Sequence, residues 1–253
     1  MDKTNKLINI LNNLKIESAK IIEENIDLQY EYLNYLYNNI NNNEIFLKLT
    51  ITNSLVCYQL SSTGENYWKE FSQHNWNNEE NINNNNFIDK FIIFLKNCKG
   101  NKRLQNIKIN RINKIKLFLE NISINDLEYY YNNMEQFREN IAKNLKTKKN
   151  TKTVVFSIKM FGYTSRMVFN KFNPYPYTIE IPVDSRITKY TKRFTEENPI
   201  LFWNNISKIV NVPPLHIDAL IWCALGDNII LNKRLDNLNN NFIKENIIKL
   251  RNI

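Results

Sequence analysis

Apolar residues recur along this chain with the three-to-four-residue rhythm of helices that bury one face, and that rhythm extends over nearly its whole length. Ile45, Leu47, Leu49, Ile51, Leu55, Val56 and Leu60 predict a mostly buried helix, and Phe87, Phe91, Ile92, Phe94 and Leu95 a second. Leu104, Ile107, Ile112, Ile115, Leu117 and Leu119 belong to a third, well supplied with surface lysines. Leu127 to Leu145 reads as one further helix that ends in the basic run KNLKTKKNTK. The segment KTVVFSIKMFGYTSRMVF resumes the helical rhythm, although β-branched Val154 and Val155 leave a short strand open there. All prolines fall after residue 173. NPYPYTIEIP reads as an extended linker, because a residue before proline is pushed out of the α region. Asp184 opens a helix in DSRITKYTKRF, and Pro213–Pro214 opens the last strong one, LHIDALIWCALG, closed by Gly226. No internal repeat is visible. The expectation is an all-α protein of about ten helices.

Composition supports that class. A length of 253 residues suits one large domain or two small ones, and 43% hydrophobic content supplies a core. Four glycines and six prolines are too few for an all-β sandwich or barrel, which turns every ~8–12 residues. Cys57, Cys98 and Cys223 are isolated, and His74 and His216 are the only histidines. That spacing disfavours a disulfide framework, a zinc site or an iron–sulfur cluster, and no metal site is expected. Apolar runs fall short of the ~18 residues that suggest a membrane span. The start, MDKTNKLINILNNLKIE, lacks a continuous apolar signal region. A cytoplasmic protein, without signal or transmembrane segment, is expected. The 47 asparagines, with abundant Ile, Lys, Tyr and Phe, reflect AT-rich codons. On that reading the runs Asn83–Asn86 and Asn239–Asn241 are loop filler.

Charge changes the picture more. Of 34 Lys+Arg and 25 Asp+Glu, residues 1–100 hold 9 and 12, residues 101–170 hold 14 and 5, and residues 171–253 hold 11 and 8. The middle stretch is therefore +9 by itself, densest around Lys143, Lys146, Lys148, Lys149 and Lys152. A solvated lysine face is the ordinary reading of such a run, but so large an excess over 70 residues points to a polyanion partner.

Three places could carry chemistry. Lys152 stands where the basic run meets an apolar helix, close to the free backbone N–H groups of a helix start. Lys152, Phe156 and Lys159 share one helix face and line up an amine, an aromatic plane and a second cation. A free lysine amine is neutral in roughly one molecule in two thousand at pH 7, so a nucleophilic lysine needs desolvation or a neighbouring cation. The plain alternative is a surface lysine above a core phenylalanine. Asp184 is an N-cap by position, which does not exclude catalysis, because capping N–H groups keep a carboxylate ionised. Asp218 and Trp222, four residues apart on the last strong helix, offer an acceptor for a purine N–H edge and a stacking plane. The ordinary reading there is a solvated aspartate and a buried tryptophan. His216 reads as a core histidine at a helix start and is given no role.

In order, the blocks KTVVFSIKMFGY, IPVDSR and VPPLHIDALIW, supported by IDLQYEY and YQLSSTGENYW near the start, resemble the archaeal 8-oxoguanine DNA glycosylase/AP lyases of the AGOG type. This is a branch of the helix-hairpin-helix glycosylase superfamily. The resemblance covers nearly the whole chain and is densest from 152 to 226. It implies an all-α fold of two helical subdomains with the active site in the cleft between them. The approximate parts expected are 1–100 with 200–253, and 101–199 carrying the hairpin.

The resemblance also implies roles. Lys152 corresponds to the family's nucleophile and Asp184 to its essential aspartate. Phe156 and Trp222 correspond to the aromatics that sandwich the extruded base. Gln29, Cys57, Trp68, Lys159 and Asp218 fall where the family contacts the base and its surroundings, with Cys57 departing from a relative's serine. Lys143, Lys146, Lys148 and Lys149 are expected on the DNA backbone, since LKTKKNTK has no glycine to bring backbone N–H groups to a phosphate. The implied partner is duplex or single-stranded DNA containing 8-oxoguanine, with no cofactor, no membrane and no obligate protein partner. The implied reaction is base removal through a lysine Schiff base, followed by β-elimination. Two alternatives stay open: a non-catalytic helical nucleic-acid-binding protein, or the same fold acting on another damaged base.

Overall fold

The computed structural model describes residues 2–77, 82–226 and 228–253. Fourteen helices and no strand are found among them. They are α1 (Lys3–Asn25), α2 (Leu28–Asn39), α3 (Asn43–Leu55), α4 (Gly64–Gln73) and α5 (Phe87–Asn97). α6 (Gln105–Asn121), α7 (Ile124–Asn132), α8 (Met134–Leu145) and α9 (Lys152–Phe169) follow. The chain ends with α10 (Ser185–Thr191), α11 (Pro199–Val210), α12 (Pro214–Ala224), α13 (Asn228–Asn237) and α14 (Asn241–Asn252). The all-α expectation holds, but about ten helices was too few.

The chain packs as two compact units, and the first boundary falls inside α2. The terminal unit joins Met1–Glu31 to Pro174–Ile253, and the central unit is Tyr32–Asn173. These boundaries differ from the approximate ones expected at 100/101 and 199/200. In the central unit α3 is the hub, buried along its length and packed against α9, with α5, α6 and α7 around it. Its Lys48 is wholly enclosed and donates to Glu44 Oε1 (2.8 Å) and Asn84 Oδ1 (2.9 Å). Glu44 Oε2 accepts from the Ile124 amide at 2.9 Å, which fixes the start of α7 to α3. In the terminal unit α1 packs against α11, α12 and α14 over an apolar core that includes Leu7, Leu11, Ile22, Trp203, Ile217 and Leu220.

Asparagine is more than filler. Asn42, Asn198 and Asn240 accept from backbone amides at the starts of α3, α11 and α14, satisfying donors that a helix start leaves free. Asn170, Asn211 and Asn239 adopt left-handed backbone (φ 48°, 53° and 50°). Asparagine is the side-chain-bearing residue most at home there, and it takes the place glycine usually fills after a helix. The expectation that Asn83–Asn86 and Asn239–Asn241 are filler is therefore corrected. Asn84 holds buried Lys48, Asn239 turns the chain, and Asn240 caps α14.

Three other expectations change. The single helix expected from Leu127 to Leu145 breaks at Asn133 (φ −133°, ψ 55°) into α7 and α8. The break folds Tyr130 back over Phe137, with ring centroids 4.7 Å apart, and lets both helices pack on α9. The strand left open at Val154–Val155 is instead the first turn of α9, where both valines are buried. The helix over Ile45–Leu60 ends at Leu55, so Leu60 lies outside it. NPYPYTIEIP carries no helix or strand, as its prolines predict, and Asp184 caps α10.

Candidate active site

The hairpin between α8 and α9 is built without glycine. Lys146 takes the left-handed position after α8 (φ 52°), and the Thr147 amide reaches back to Ala142 O at 3.0 Å. The Thr147 and Thr151 hydroxyls lie 2.9 Å apart, and Arg138 Nη1 donates to Asn150 Oδ1 at 3.2 Å. This closed turn holds Lys143, Lys146, Lys148 and Lys149 in solvent. Lys149 also pairs with Glu139 at 2.7 Å.

Lys152 is the first residue of α9 and is exposed. One turn on, Phe156 is half-buried, and Lys159 is enclosed beside the Tyr163 ring, 5.9 Å from its centroid. The expected stripe therefore exists, running from solvent into the core. Phe156 meets the edge of Trp68 at 6.1 Å between ring centroids. The Trp68 indole is fully buried, and its Nε1 has no partner of hydrogen-bond geometry. Cys57 lies against the same wall. Burial pushes its thiol up to about 12, while the Trp68 N–H and the Lys108 and Lys152 ammonium groups pull weakly the other way.

Two cations of the basic helix, expected on the surface, instead support this wall. Lys108, on α6, is buried, caps its charge on Asn101 Oδ1 and lies 4.9 Å from the Tyr58 ring centroid. Asn101 in turn donates to Val56 O at 3.1 Å, next to Cys57. Arg111 Nη2 donates to Thr153 Oγ1 at 2.8 Å, tying α6 to the residue after Lys152. The only sequence signal was their place on the basic helix, which fits surface lysines equally well.

The Cys57 environment makes a direct prediction. At pH 8 its reaction with a disulfide reagent such as DTNB is expected to be slower than that of free cysteine by at least about a hundredfold, because a thiol near 12 yields almost no thiolate. All three thiols should react on unfolding. Fast labelling of Cys57 in the folded protein, located by mass spectrometry, would contradict this.

The terminal unit holds the remaining candidates. Asp184 Oδ1 accepts from the Ile187 amide at 2.8 Å, so its carboxylate is fixed at the start of α10. Asp218 is buried and Trp222 half-buried, one turn apart on α12. Arg186 stacks on Trp222 with its guanidinium carbon 3.8 Å from the ring centroid. Gln29 is buried at the start of α2, its amide bonded to Asp27 Oδ1 at 2.9 Å. His216 fits its reading as a core histidine. Its Nδ1 is 2.6 Å from Glu23 Oε1 in a fully enclosed pair. Its Nε2 faces the Tyr175 amide at 3.4 Å, which makes Nε2 the acceptor and puts the ring proton on Nδ1. This pair fastens the proline-rich linker and α1 to the start of α12.

The described residues bring no three His, Cys, Asp or Glu side chains together in a way that could hold a metal ion. No single helix among them is long and apolar enough to cross a membrane.

Nearly the whole chain is similar to known proteins. Residues 8–250 match the family model AGOG, N-glycosylase/DNA lyase. The chain is 52% identical over 242 residues to the N-glycosylase/DNA lyase of Methanococcus maripaludis, covering 96% of this chain and 95% of that one. It is 43% identical over 235 residues to that of Thermococcus kodakarensis, covering 92% and 88%. Among solved structures it resembles the 8-oxoguanosine complex of Pa-AGOG, the 8-oxoguanine DNA glycosylase of Pyrobaculum aerophilum. The TM-score is 0.77 at 20% identity, over 98% of this chain and 95% of that one. The helical architecture is thus that of a known DNA glycosylase, and this chain belongs to the AGOG family of bifunctional N-glycosylase/DNA lyases.

Proposed function

We propose that this enzyme removes 8-oxoguanine from DNA and nicks the strand through a Schiff base on Lys152. The observation that carries the reading is Lys152 itself. It is an exposed amine at the first position of α9, directly after a basic hairpin and one turn before half-buried Phe156. The relative from Pyrobaculum aerophilum is described with 8-oxoguanosine bound, which favours that base.

Lys143, Lys146, Lys148 and Lys149 hold DNA phosphates, so binding weakens steeply with salt. The damaged base leaves the stack and is recovered by stacking on Phe156 and Trp222, while Gln29, Cys57, Trp68, Lys159 and Asp218 contact it and its surroundings. The neutral amine of Lys152 forms a bond to C1′ as the glycosidic bond breaks, and the base departs with a proton. Asp184 orients or deprotonates the amine and stabilises positive charge on the sugar. Opening of the sugar ring gives the Schiff base. Loss of a C2′ proton then expels the 3′ phosphate, which is β-elimination. The N7–H of 8-oxoguanine, absent from guanine, needs an acceptor, for which Asp218 or a backbone carbonyl serves. DNA is the partner, either duplex or single-stranded, and the enzyme acts in the cytoplasm with the nucleoid.

Duplexes carrying one 8-oxoguanine, one guanine or one oxidised pyrimidine at the same position test the substrate. Rapid cleavage of the first alone is expected. Preferred cleavage of the pyrimidine duplex would keep the chemistry and overturn the assigned base.

A further inference from the structure

Arg186 follows Asp184 by two residues, and its guanidinium lies in van der Waals contact over the Trp222 ring, 3.8 Å from the centroid. At that spacing nothing planar fits between them. Trp222 is partly buried against the apolar core of the terminal unit, and Arg186 covers a face of its ring. The arginine's own position is incompletely satisfied, since Nη1 is buried and has no hydrogen-bond partner among the described residues. A guanidinium N–H shielded from water without an acceptor favours departure of the side chain over permanent residence.

We propose that Arg186 occupies the stacking face of Trp222 in the absence of substrate and yields it to the extruded base. It thereby sets the stacking strength that a base must exceed to enter. The inference rests on the reading of Trp222 as a stacking surface. It makes Arg186 an internal competitor that lowers the affinity of every base using that face by a common factor, since the cost of moving it away is the same whichever base arrives.

Calorimetric binding of 8-oxoguanosine to the natural chain, Arg186→Ala and Trp222→Ala separates the outcomes. Removal of the competitor is expected to tighten binding about three- to thirty-fold, the equivalent of one cation–π contact of roughly 0.7–2 kcal/mol. Thymidine binding should tighten by about the same factor, because the stacked arginine taxes every ligand of that face alike. Unchanged or weaker binding by Arg186→Ala, with binding lost in Trp222→Ala, overturns the proposal and leaves the stacking reading intact. Undiminished binding by Trp222→Ala removes the stacking reading and the proposal with it. Arg186→Gln, which keeps the polar tip and much of the stem, provides the same measurement if the alanine variant folds poorly.

Discussion

Replacing Lys152 by glutamine is expected to lower base excision and strand cleavage by at least about ten-thousand-fold, the usual consequence of removing a covalent nucleophile. DNA affinity should fall by no more than a few-fold, since the hairpin still presents Lys143, Lys146, Lys148 and Lys149 to solvent. Stability should hardly change, because the Lys152 side chain is exposed and glutamine is as good a helix former. Single-turnover cleavage, filter binding and thermal melting read the three quantities separately. A variant that cleaves at near-natural rates would remove Lys152 from the chemistry, while one that loses mainly affinity would make it a phosphate contact.

The second large effect belongs to Asp184, where position alone cannot separate a cap from a catalytic group. Its Oδ1 accepts from the Ile187 amide, so it is certainly a cap. Asparagine caps a helix about as well as aspartate but carries no charge. Asp184→Asn is therefore expected to melt within about 0.5 kcal/mol of the natural protein and to lose about 10²–10⁴-fold in excision rate. Asp184→Ala should lose similar activity and in addition about 1 kcal/mol of stability. An asparagine variant with natural activity would reduce Asp184 to its capping role.

Much of this site was legible because local rules dominate there. The spacing of Lys152, Phe156 and Lys159 fixes their shared face wherever a helix forms, and Pro213–Pro214 and Asp184 mark helix starts by their own backbone chemistry. What escaped depends on contacts distant in sequence. The break at Asn133 follows from packing of α7 and α8 on α9, and no residue there forbids a continuous helix. The stacking of Arg186 on Trp222 joins positions 36 apart, and no periodicity announces it. Lys48 and Lys108 look like surface lysines in the sequence, yet each is buried against a carboxylate or amide from another segment or turn. The asparagine runs hid their capping and turning roles inside a composition that codon bias explains on its own.

The Schiff base is the centre of the account, and borohydride trapping reaches it most directly. The natural protein, mixed with a duplex carrying one 8-oxoguanine and reduced, should give a covalent protein–DNA band, and digestion should place the DNA remnant on Lys152. Lys152→Gln should give none. A trapped adduct on another residue, or cleavage with no trappable adduct, would contradict the mechanism.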